Sequence, residues 1–331
     1  MKKTLIALFA VIVVVFSCSK TNLHMQEIAL LRVKTPAALQ TKSAIQGDQF
    51  PVGSKMGIQL LKLEDNTIYS QSGITNNEYT YAGLNEWTSA SSYILSSQKA
   101  KVYAYYPFTA LGGNNQIFFS VPISVDPAGN TADYMYATPV VTEETAVSNT
   151  RSTINLTMNH ALAQVSVLVY KENYNGAGEL TGFSLEDNDA SSHLIVNKET
   201  DNDLSMSIID GAITGGTKGK VAITLAAAKI LQNSSSDPIF PSTDISTLKT
   251  QVNTYGVNAI VVPTGDILPG ELKFSFVIDG NTYSISNGTP IKFEKGKQYI
   301  YKVKLAGTSL TVSSVTITDW LPVEAEDMVI Q

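Results

Sequence analysis

The sequence of 331 residues holds little of the chemistry on which most enzymes and metal sites depend. It has one cysteine, three histidines and two arginines, and 16% of its residues are charged, against about 25% in an average soluble protein. A single cysteine excludes internal disulfides and any zinc site built from several cysteines. A net charge of −6 leaves no basic surplus to neutralise phosphates, so nucleic acid is not expected as a partner. These shortages predict a protein that is not an enzyme.

Motifs for catalysis and for cofactor binding are absent as well. The chain contains neither a G-x-G-x-x-G dinucleotide run nor a G-x-S-x-G nucleophile elbow. His160 and His193 have no partners at metal-ligand spacing, which predicts structural roles for both. Asp187-Asn188-Asp189 begins like a calcium loop, but Ser192 and Lys198 stand where that loop requires glycine and glutamate. We therefore expect no cofactor and no metal.

The N-terminus explains the single cysteine. Residues 1–17 are typical of a secretory signal, because two lysines precede an apolar run over 5–16 that is too short to span a bilayer, which needs ~20 residues. Cys18 follows at once, after the small residue Ser17. This arrangement resembles a bacterial lipoprotein signal. The resemblance implies that Cys18 is acylated and becomes the mature N-terminus, with 18–26 as a tether to the outer membrane.

Alternation of apolar and polar residues dominates the remaining chain, which is the pattern of strands with one face on a core. The clearest runs are 154–158, 163–169, 272–278 and 299–305. Further predicted strands are 27–34, 56–63, 101–107, 116–123, 133–137, 180–186, 192–196, 219–224, 257–262, 281–286 and 309–318. Turn residues such as Asp279-Gly280 separate neighbouring runs. Short helices are expected only at 224–232 and 243–252.

The apolar positions change parity at two places. Even-numbered residues are apolar up to Leu162 and odd-numbered residues from Ala163, and a second change lies at Ser313-Ser314. A shift of one residue turns every following side chain to the opposite face of a sheet. Each change therefore predicts a bulge or a bend in the chain.

Length and composition predict two domains. A chain of 331 residues exceeds the ~150 residues of one typical domain. The polar stretch 141–153 interrupts the strand pattern and is typical of a linker. We therefore predict an all-β protein with one β-sandwich over 27–152 and a second over 153–331.

The densest aromatic cluster lies at 103–107, with the sequence Tyr-Ala-Tyr-Tyr-Pro. In a strand, Tyr103 and Tyr105 share one face and Tyr106 takes the other. Exposed rings on one face could contact a glycan. Cross-strand packing explains the same pattern without a ligand. The sequence leaves both interpretations open.

The lipoprotein signal and four short blocks carry a family resemblance. The blocks are GDQFPVGSKMGI at 47–58, VYAYYP at 102–107, MNHALAQVSV at 158–167, and GKQYIYKVKL with VSSVTITDW at 296–320. Together they resemble the fimbrillin-like proteins of Bacteroidales, which are subunits of type V pili. The resemblance implies two tandem transthyretin-like β-sandwich domains, in agreement with the strand pattern.

The resemblance also implies a function in cell adhesion. Such a subunit reaches the outer membrane as a lipoprotein, and a trypsin-like maturation protease then cuts after a basic residue and removes the first strand. A strand from another fimbrial subunit fills the apolar groove that this removal opens, which is a form of strand addition. The protein would then occupy the cell surface as a shaft, tip, anchor or accessory part of a fimbrium.

The implied processing and donor sites can be placed in this sequence. The strand 27–34 is the candidate for removal, and Arg32 within it or Lys42 in the looser segment 35–46 is the candidate cleavage position. The segment 321–331 is the candidate donor, although its proline and its acidic residues depart from a typical donor strand. The alternative is a monomeric surface lipoprotein that binds a glycan or a protein ligand.

Overall fold

The computed structural model shows a protein built almost entirely from β-strands, which confirms the predicted fold class. A single α-helix interrupts the strands within the part of the chain that the structure describes. That part consists of residues 29–35, 50–69, 74–111, 116–188, 193–197, 203–307 and 309–320.

The strands divide into an N-terminal and a C-terminal series. The first series is β1 Ala29–Leu30, β2 Arg32–Lys34, β3 Lys55–Lys62, β4 Asn77–Gly83, β5 Glu86–Thr88, β6 Ile94–Leu95, β7 Ala100–Tyr106, β8 Ser120–Pro122, β9 Met135–Ala137, β10 Thr153–Asn155 and β11 Met158–His160. The second series is β12 Ala163–Glu172, β13 Glu179–Asp187, β14 Ile195–Val196, β15 Ser205–Ser207, β16 Ile213–Thr214, β17 Thr217–Lys218, β18 Val221–Ile230, β19 Gln232–Asn233, β20 Ser235–Ser236, β21 Ile239–Phe240, α1 Ile245–Tyr255, β22 Val257–Val261, β23 Leu272–Ile278, β24 Asn281–Ser286, β25 Lys297–Ala306 and β26 Ser309–Asp319.

An eight-stranded sheet forms the N-terminal half, in the order β10-β2-β5-β4-β3-β7-β9-β11. Its two edge strands come from one short segment, because only Leu156 and Thr157 separate β10 from β11. Leu156 donates its N–H to the Lys34 carbonyl at 2.8 Å, and the Thr157 carbonyl accepts from Thr138 at 2.8 Å. The two edges of the sheet therefore meet, and the sheet curves around its own core.

This pairing bears on the division of the chain into domains. The strands β10 and β11 follow residue 152 yet belong to the N-terminal sheet. Ile154, Leu156 and Met158 likewise belong to the core of that half. The two-domain division remains a prediction, and we propose residues 161–162 as its boundary.

Two sheets form the C-terminal half and share a core. One has the order β19-β12-β25-β26 with β22 also on β12, and the other has the order β18-β13-β23-β24. Rings from the two sheets meet where Phe274 lies 4.6 Å from Tyr301, measured between ring centroids. Helix α1 covers the outer face of the first sheet by packing Leu248 and Val252 on Leu168 and Ile300.

Of the two expected helices, one is confirmed and one is wrong. Helix α1 overlaps the predicted segment 243–252 from Ile245 onward, and its N-cap Asp244 accepts from the N–H of Thr247 at 2.8 Å. The segment 224–232 instead lies largely within β18. Its alanines favour a helix locally, but the antiparallel pairing of β18 with β13 and the packing of Leu225 on the core outweigh that preference.

Both parity changes correspond to irregular backbone, as predicted. The chain bends at residues 161–162, between β11 of one sheet and β12 of another. In the C-terminal hairpin Lys302 pairs with Ser314 while Val303 pairs with Val312, so Ser313 is the extra residue of a β-bulge. The hydroxyl of Ser313 donates to the Lys302 carbonyl at 2.9 Å.

Candidate functional site

The candidate site is the position of the first strand in the N-terminal sheet. We call residues 29–35 the first strand, and the space that it occupies between residues 85–95 and 152–156 the slot. Within it β1 pairs antiparallel with β6, while β2 lies between β10, which runs parallel to it, and β5, which runs antiparallel. Of the predicted strand 27–34, residues 32–34 thus sit inside the eight-stranded sheet with hydrogen-bonded neighbours on both sides, and residues 29–30 pair on one side with β6.

Backbone hydrogen bonds fasten the first strand at both walls of the slot. The bonds outside the regular ladders are Leu31 N–H to Tyr93 O at 2.9 Å, Arg32 N–H to Ser152 O at 2.7 Å, Thr35 N–H to Asn85 O at 3.0 Å and Leu156 N–H to Lys34 O at 2.8 Å. Loss of the first strand would leave three carbonyls and one N–H of the slot walls without these partners.

Alternate side chains of the first strand enter the core. Leu31, Val33 and Thr35 are only 3%, 1% and 2% exposed, whereas Leu30 is 58% exposed. Burial of an aliphatic side chain of this size is worth about 1.5–3 kcal/mol. The outward Lys34 forms an ion pair with Glu86 at 3.1 Å, but both side chains are well exposed, so this pair adds little. The first strand is held mainly by its two buried aliphatic residues and its backbone bonds.

One buried side-chain hydrogen bond joins the first strand to Trp87, which belongs to the wall of the slot at residues 85–95. Nε1 of Trp87 donates to Oγ1 of Thr35 at 3.1 Å. The indole lies against the rings of Phe50 at 5.0 Å and Tyr81 at 5.1 Å between centroids. Sequence reasoning missed β4 and β5, which supply Tyr81 and Trp87. A signal was present, since Tyr79 and Tyr81 alternate with polar residues before the turn at 84–85 and Trp87 lies between two polar residues after it.

The two predicted cleavage positions differ in what can be said of them. Arg32 is exposed through its side chain, but its backbone is hydrogen-bonded within the sheet and its neighbours Leu31 and Val33 are buried. Lys42, the lipidation candidate Cys18 and the donor candidate 321–331 lie outside the described residues. The other arginine, Arg151, is exposed in a turn that bonds back to Ser148.

Tyr103 and Tyr105 lie together on one face of β7, as predicted, and both enter the core. They are 8% and 1% exposed, and burial raises the pKa of the Tyr105 phenol. The Tyr105 hydroxyl donates to Oδ1 of Asn76 at 2.9 Å. The ring of Tyr103 makes an edge contact with Phe119 at 5.7 Å. Glycan contact at these rings remains a prediction, and it would require both rings to leave the core.

His160 and His193, the two histidines that the structure describes, have protein partners. Nδ1 of His160 donates to Oδ1 of Asp133 at 2.9 Å, and its ring stacks on Trp320 with centroids 4.3 Å apart. Nε2 of His193 lies 3.1 Å from Glu271. Within the described ranges no group of three histidine, cysteine or acidic side chains could hold a metal ion.

Trp320 is the last residue that the structure describes, and it is anchored in the fold. It is 2% exposed, and its N–H donates to the carbonyl of Gly296 at 2.7 Å. The preceding strand β26 is an edge strand that pairs only with β25 among the described strands. No helix in the part of the chain described here is long and apolar enough to cross a membrane.

Comparison with known proteins places the chain in a family. A family model described as fimbrillin-like matches residues 41–320. The solved structure of a cell adhesion protein from Bacteroides uniformis is similar, with a TM-score of 0.59 at 16% identity, over 89% of this chain and 99% of that one. One from Bacteroides ovatus has a TM-score of 0.60 at 13% identity over the same shares, 89% and 99%.

One further solved structure shows a weaker similarity, and the curated proteins show none. The tip fimbrial protein Mfa3 of Porphyromonas gingivalis, with a C-terminal truncation, is similar over 88% of this chain and 99% of that one, at 11% identity and a TM-score of 0.42. A search of curated proteins gives no match. Because the family model spans well over half of the 331 residues, the chain belongs to the fimbrillin-like family.

Proposed function

We propose that this protein is a structural subunit of a cell-surface fimbrium, made as a lipid-anchored precursor and assembled by exchange of its first strand. Membership of the fimbrillin-like family supports the fimbrial role. The observation that carries the exchange is the position of the first strand, inserted between β10 and β5 near the start of the mature chain. This role requires no catalysis, cofactor or metal from the protein itself.

Removal of the first strand would create an acceptor for another strand. Leu31 and Val33 leave two apolar pockets, and the slot walls keep carbonyls and an N–H that a new strand can satisfy. An open sheet edge above an apolar floor is the usual setting of strand addition. The neighbours β10 and β5 belong to chain segments that stay in the protein after the cut, so the slot would persist as two walls.

The geometry of the slot favours Lys42 over Arg32 as the processing position. A cut after Arg32 would leave Val33 buried and Thr35 hydrogen-bonded to Trp87, so the slot would stay half filled. It would also require protease access to a backbone that is already paired in the sheet. A cut after Lys42 lies beyond the end of the first strand and frees all of it.

The same cut would release the subunit from the membrane. If Cys18 carries lipid, only residues 19–28 separate the anchor from the first strand, which at ~3.5 Å per residue holds the fold within about 35 Å of the bilayer. Lipid, tether and first strand lie on the same side of Lys42. One cleavage therefore opens the slot and detaches the body, which allows it to join other subunits. The donor strand would be the C-terminal segment of a neighbouring subunit.

N-terminal sequencing of fibres purified from cells tests this proposal. Assembled subunits should begin at Ser43, and the Lys42→Gln variant should stay in the membrane fraction with Cys18 intact. Arg32→Gln is the matched control and should assemble normally. Fibres whose subunits retain an acylated Cys18 would contradict the proposed function.

A further inference from the structure

The inward face of the first strand makes one side-chain hydrogen bond to the described part of the slot. It runs from Nε1 of Trp87 to Oγ1 of Thr35 at 3.1 Å, and these residues are 3% and 2% exposed. An indole N–H can only donate, and a buried donor without an acceptor is costly. Phe50 and Tyr81 pack against the indole, so a new strand that buries Trp87 again without an acceptor at this position would leave its N–H unpaired.

We infer that Trp87 selects the strand that fills the slot and fixes its register. This inference rests on the proposed function. The strand must carry an apolar residue, a second apolar residue two positions later, and a hydrogen-bond acceptor two positions after that. Leu31, Val33 and Thr35 are the resident example of this spacing.

Hydrophobic alternation alone cannot set this register. A slip of one residue turns the apolar side chains away from the core and is rejected for that reason. A slip of two residues keeps the same face inward, so the two apolar pockets can still be filled. It does, however, move the acceptor away from Trp87 and leaves the indole N–H unpaired. Trp87 therefore discriminates between the registers that burial alone would tolerate.

The occupant that we assign is the C-terminal segment of a second copy of this chain. Val323, Ala325 and Asp327 have the required spacing and run in the direction of Leu31, Val33 and Thr35. In this register Asp327 takes the place of Thr35 and accepts from Trp87. An acidic residue that otherwise suits an apolar groove poorly thus acquires a specific partner.

Peptide exchange into the nicked full-length chain tests the inference. A specific protease site is placed within 36–49 and cut, and a fluorescent peptide covering residues 27–37 then displaces the nicked first strand. The Thr35→Val peptide, which keeps the size but loses the acceptor, should bind about tenfold more weakly. The Lys34→Gln peptide is the matched control, since it loses only an exposed ion pair, and should bind within about twofold of the wild-type peptide.

The Trp87→Phe variant completes a double-mutant cycle. On this protein the penalty of the Thr35→Val peptide should disappear, because the donor is gone. The peptide covering 320–331 should bind the wild-type slot more tightly than its Asp327→Val form, and that order should reverse on Trp87→Phe.

The outcomes separate the two proposals. If the wild-type peptide never enters the nicked chain, strand exchange itself is wrong and this inference falls with it. If that peptide enters but Thr35→Val binds equally well, or keeps its penalty on Trp87→Phe, only the role of Trp87 is wrong. If the Thr35 cycle behaves as expected and the C-terminal peptide does not bind, the second copy is not the occupant.

Discussion

At the scale of single residues, buried side chains from distant parts of the sequence contact one another. Asp133 and His160 come from the N-terminal half, and Trp320 directly follows the last strand of the C-terminal half. Sequence reasoning predicted a structural role for His160 because no ligand pattern surrounds it. It could not name the partners, since they lie far away in the chain and no local spacing links them.

Removal of the Asp133 carboxylate should destabilise this junction. Asp133→Ala leaves the buried Nδ1–H of His160 without an acceptor, so the free energy of unfolding in urea should fall by about 1–3 kcal/mol. Asp133→Asn keeps an acceptor oxygen and should cost clearly less. Equal losses in the two variants would contradict a role based on this hydrogen bond.

Asp279 makes a pH-dependent contribution to stability. The backbone N–H groups of Glu179 and Gly178 and the hydroxyl of Tyr174 bond its carboxylate and lower its pKa below the ordinary 3.8. A lowered pKa in the folded state gives stability that is complete above about pH 4 and is lost as the pH falls through the folded value.

Unfolding of the Asp279→Asn variant across acidic pH tests this contribution. Asparagine tolerates the positive φ of 49° at this turn, so the change removes the charge and one of the two accepting oxygens without straining the backbone. The variant should be less stable than wild type near neutral pH, and its stability should fall less steeply below pH 4. Parallel profiles for the two proteins would show that Asp279 titrates alike in the folded and unfolded chains.

At the scale of elements, strand contacts depend on small residues that periodicity does not explain. Gly57 in β3 pairs with Tyr105 in β7, and a Cβ at Gly57 would lie 2.2 Å from the tyrosine ring. Gly57→Ala should therefore displace a fully buried ring and lower the free energy of unfolding by about 1–3 kcal/mol. Gly288→Ala, where a Cβ meets nothing within 4 Å, is the control and should be close to neutral in thermal unfolding. A neutral Gly57→Ala would contradict the tight packing of β3 on Tyr105.

Substitutions on the buried face of the first strand should lower the free energy of unfolding far more than substitutions on its exposed face. Val33→Ala removes two buried methyl groups and should lower the free energy of unfolding by about 2 kcal/mol. Lys34→Ala changes an exposed residue on the opposite face and should cost less than about 0.5 kcal/mol. Urea unfolding of both variants gives the comparison, and equal effects would mean that burial does not hold this strand.

The sequence predicted some elements well and others not at all. The bulge at Ser313 followed from a change in parity, because strand faces are a local property of the chain. The parallel pairing of β10 with β2 could not be predicted, because it joins segments about 120 residues apart with no shared pattern. Within the slot, the first strand and the alternation over 154–158 were predicted, but the role of Trp87 and the position of residues 152–156 beside the first strand required the fold.

At the scale of the whole molecule, the shortage of reactive residues agrees with a role in assembly. The slot lies in the N-terminal sheet, whereas the proposed donor segment follows Trp320 in the sequence, so acceptor and donor are different parts of one subunit. A contact between unlike surfaces that does not close into a ring produces a linear filament. In the proposed function, each subunit would accept a strand through the first part and donate one through the second.

The most direct test of strand exchange is the molar mass of the purified chain after brief treatment with a trypsin-like protease, measured by light scattering during size-exclusion chromatography. Mass spectrometry of the same fractions would establish whether residues up to Lys42 have been lost. We expect processed chains to form a series of oligomers at multiples of the subunit mass, while unprocessed chains stay monomeric. Processed chains that lack the first strand and remain monomeric would contradict assembly by strand exchange.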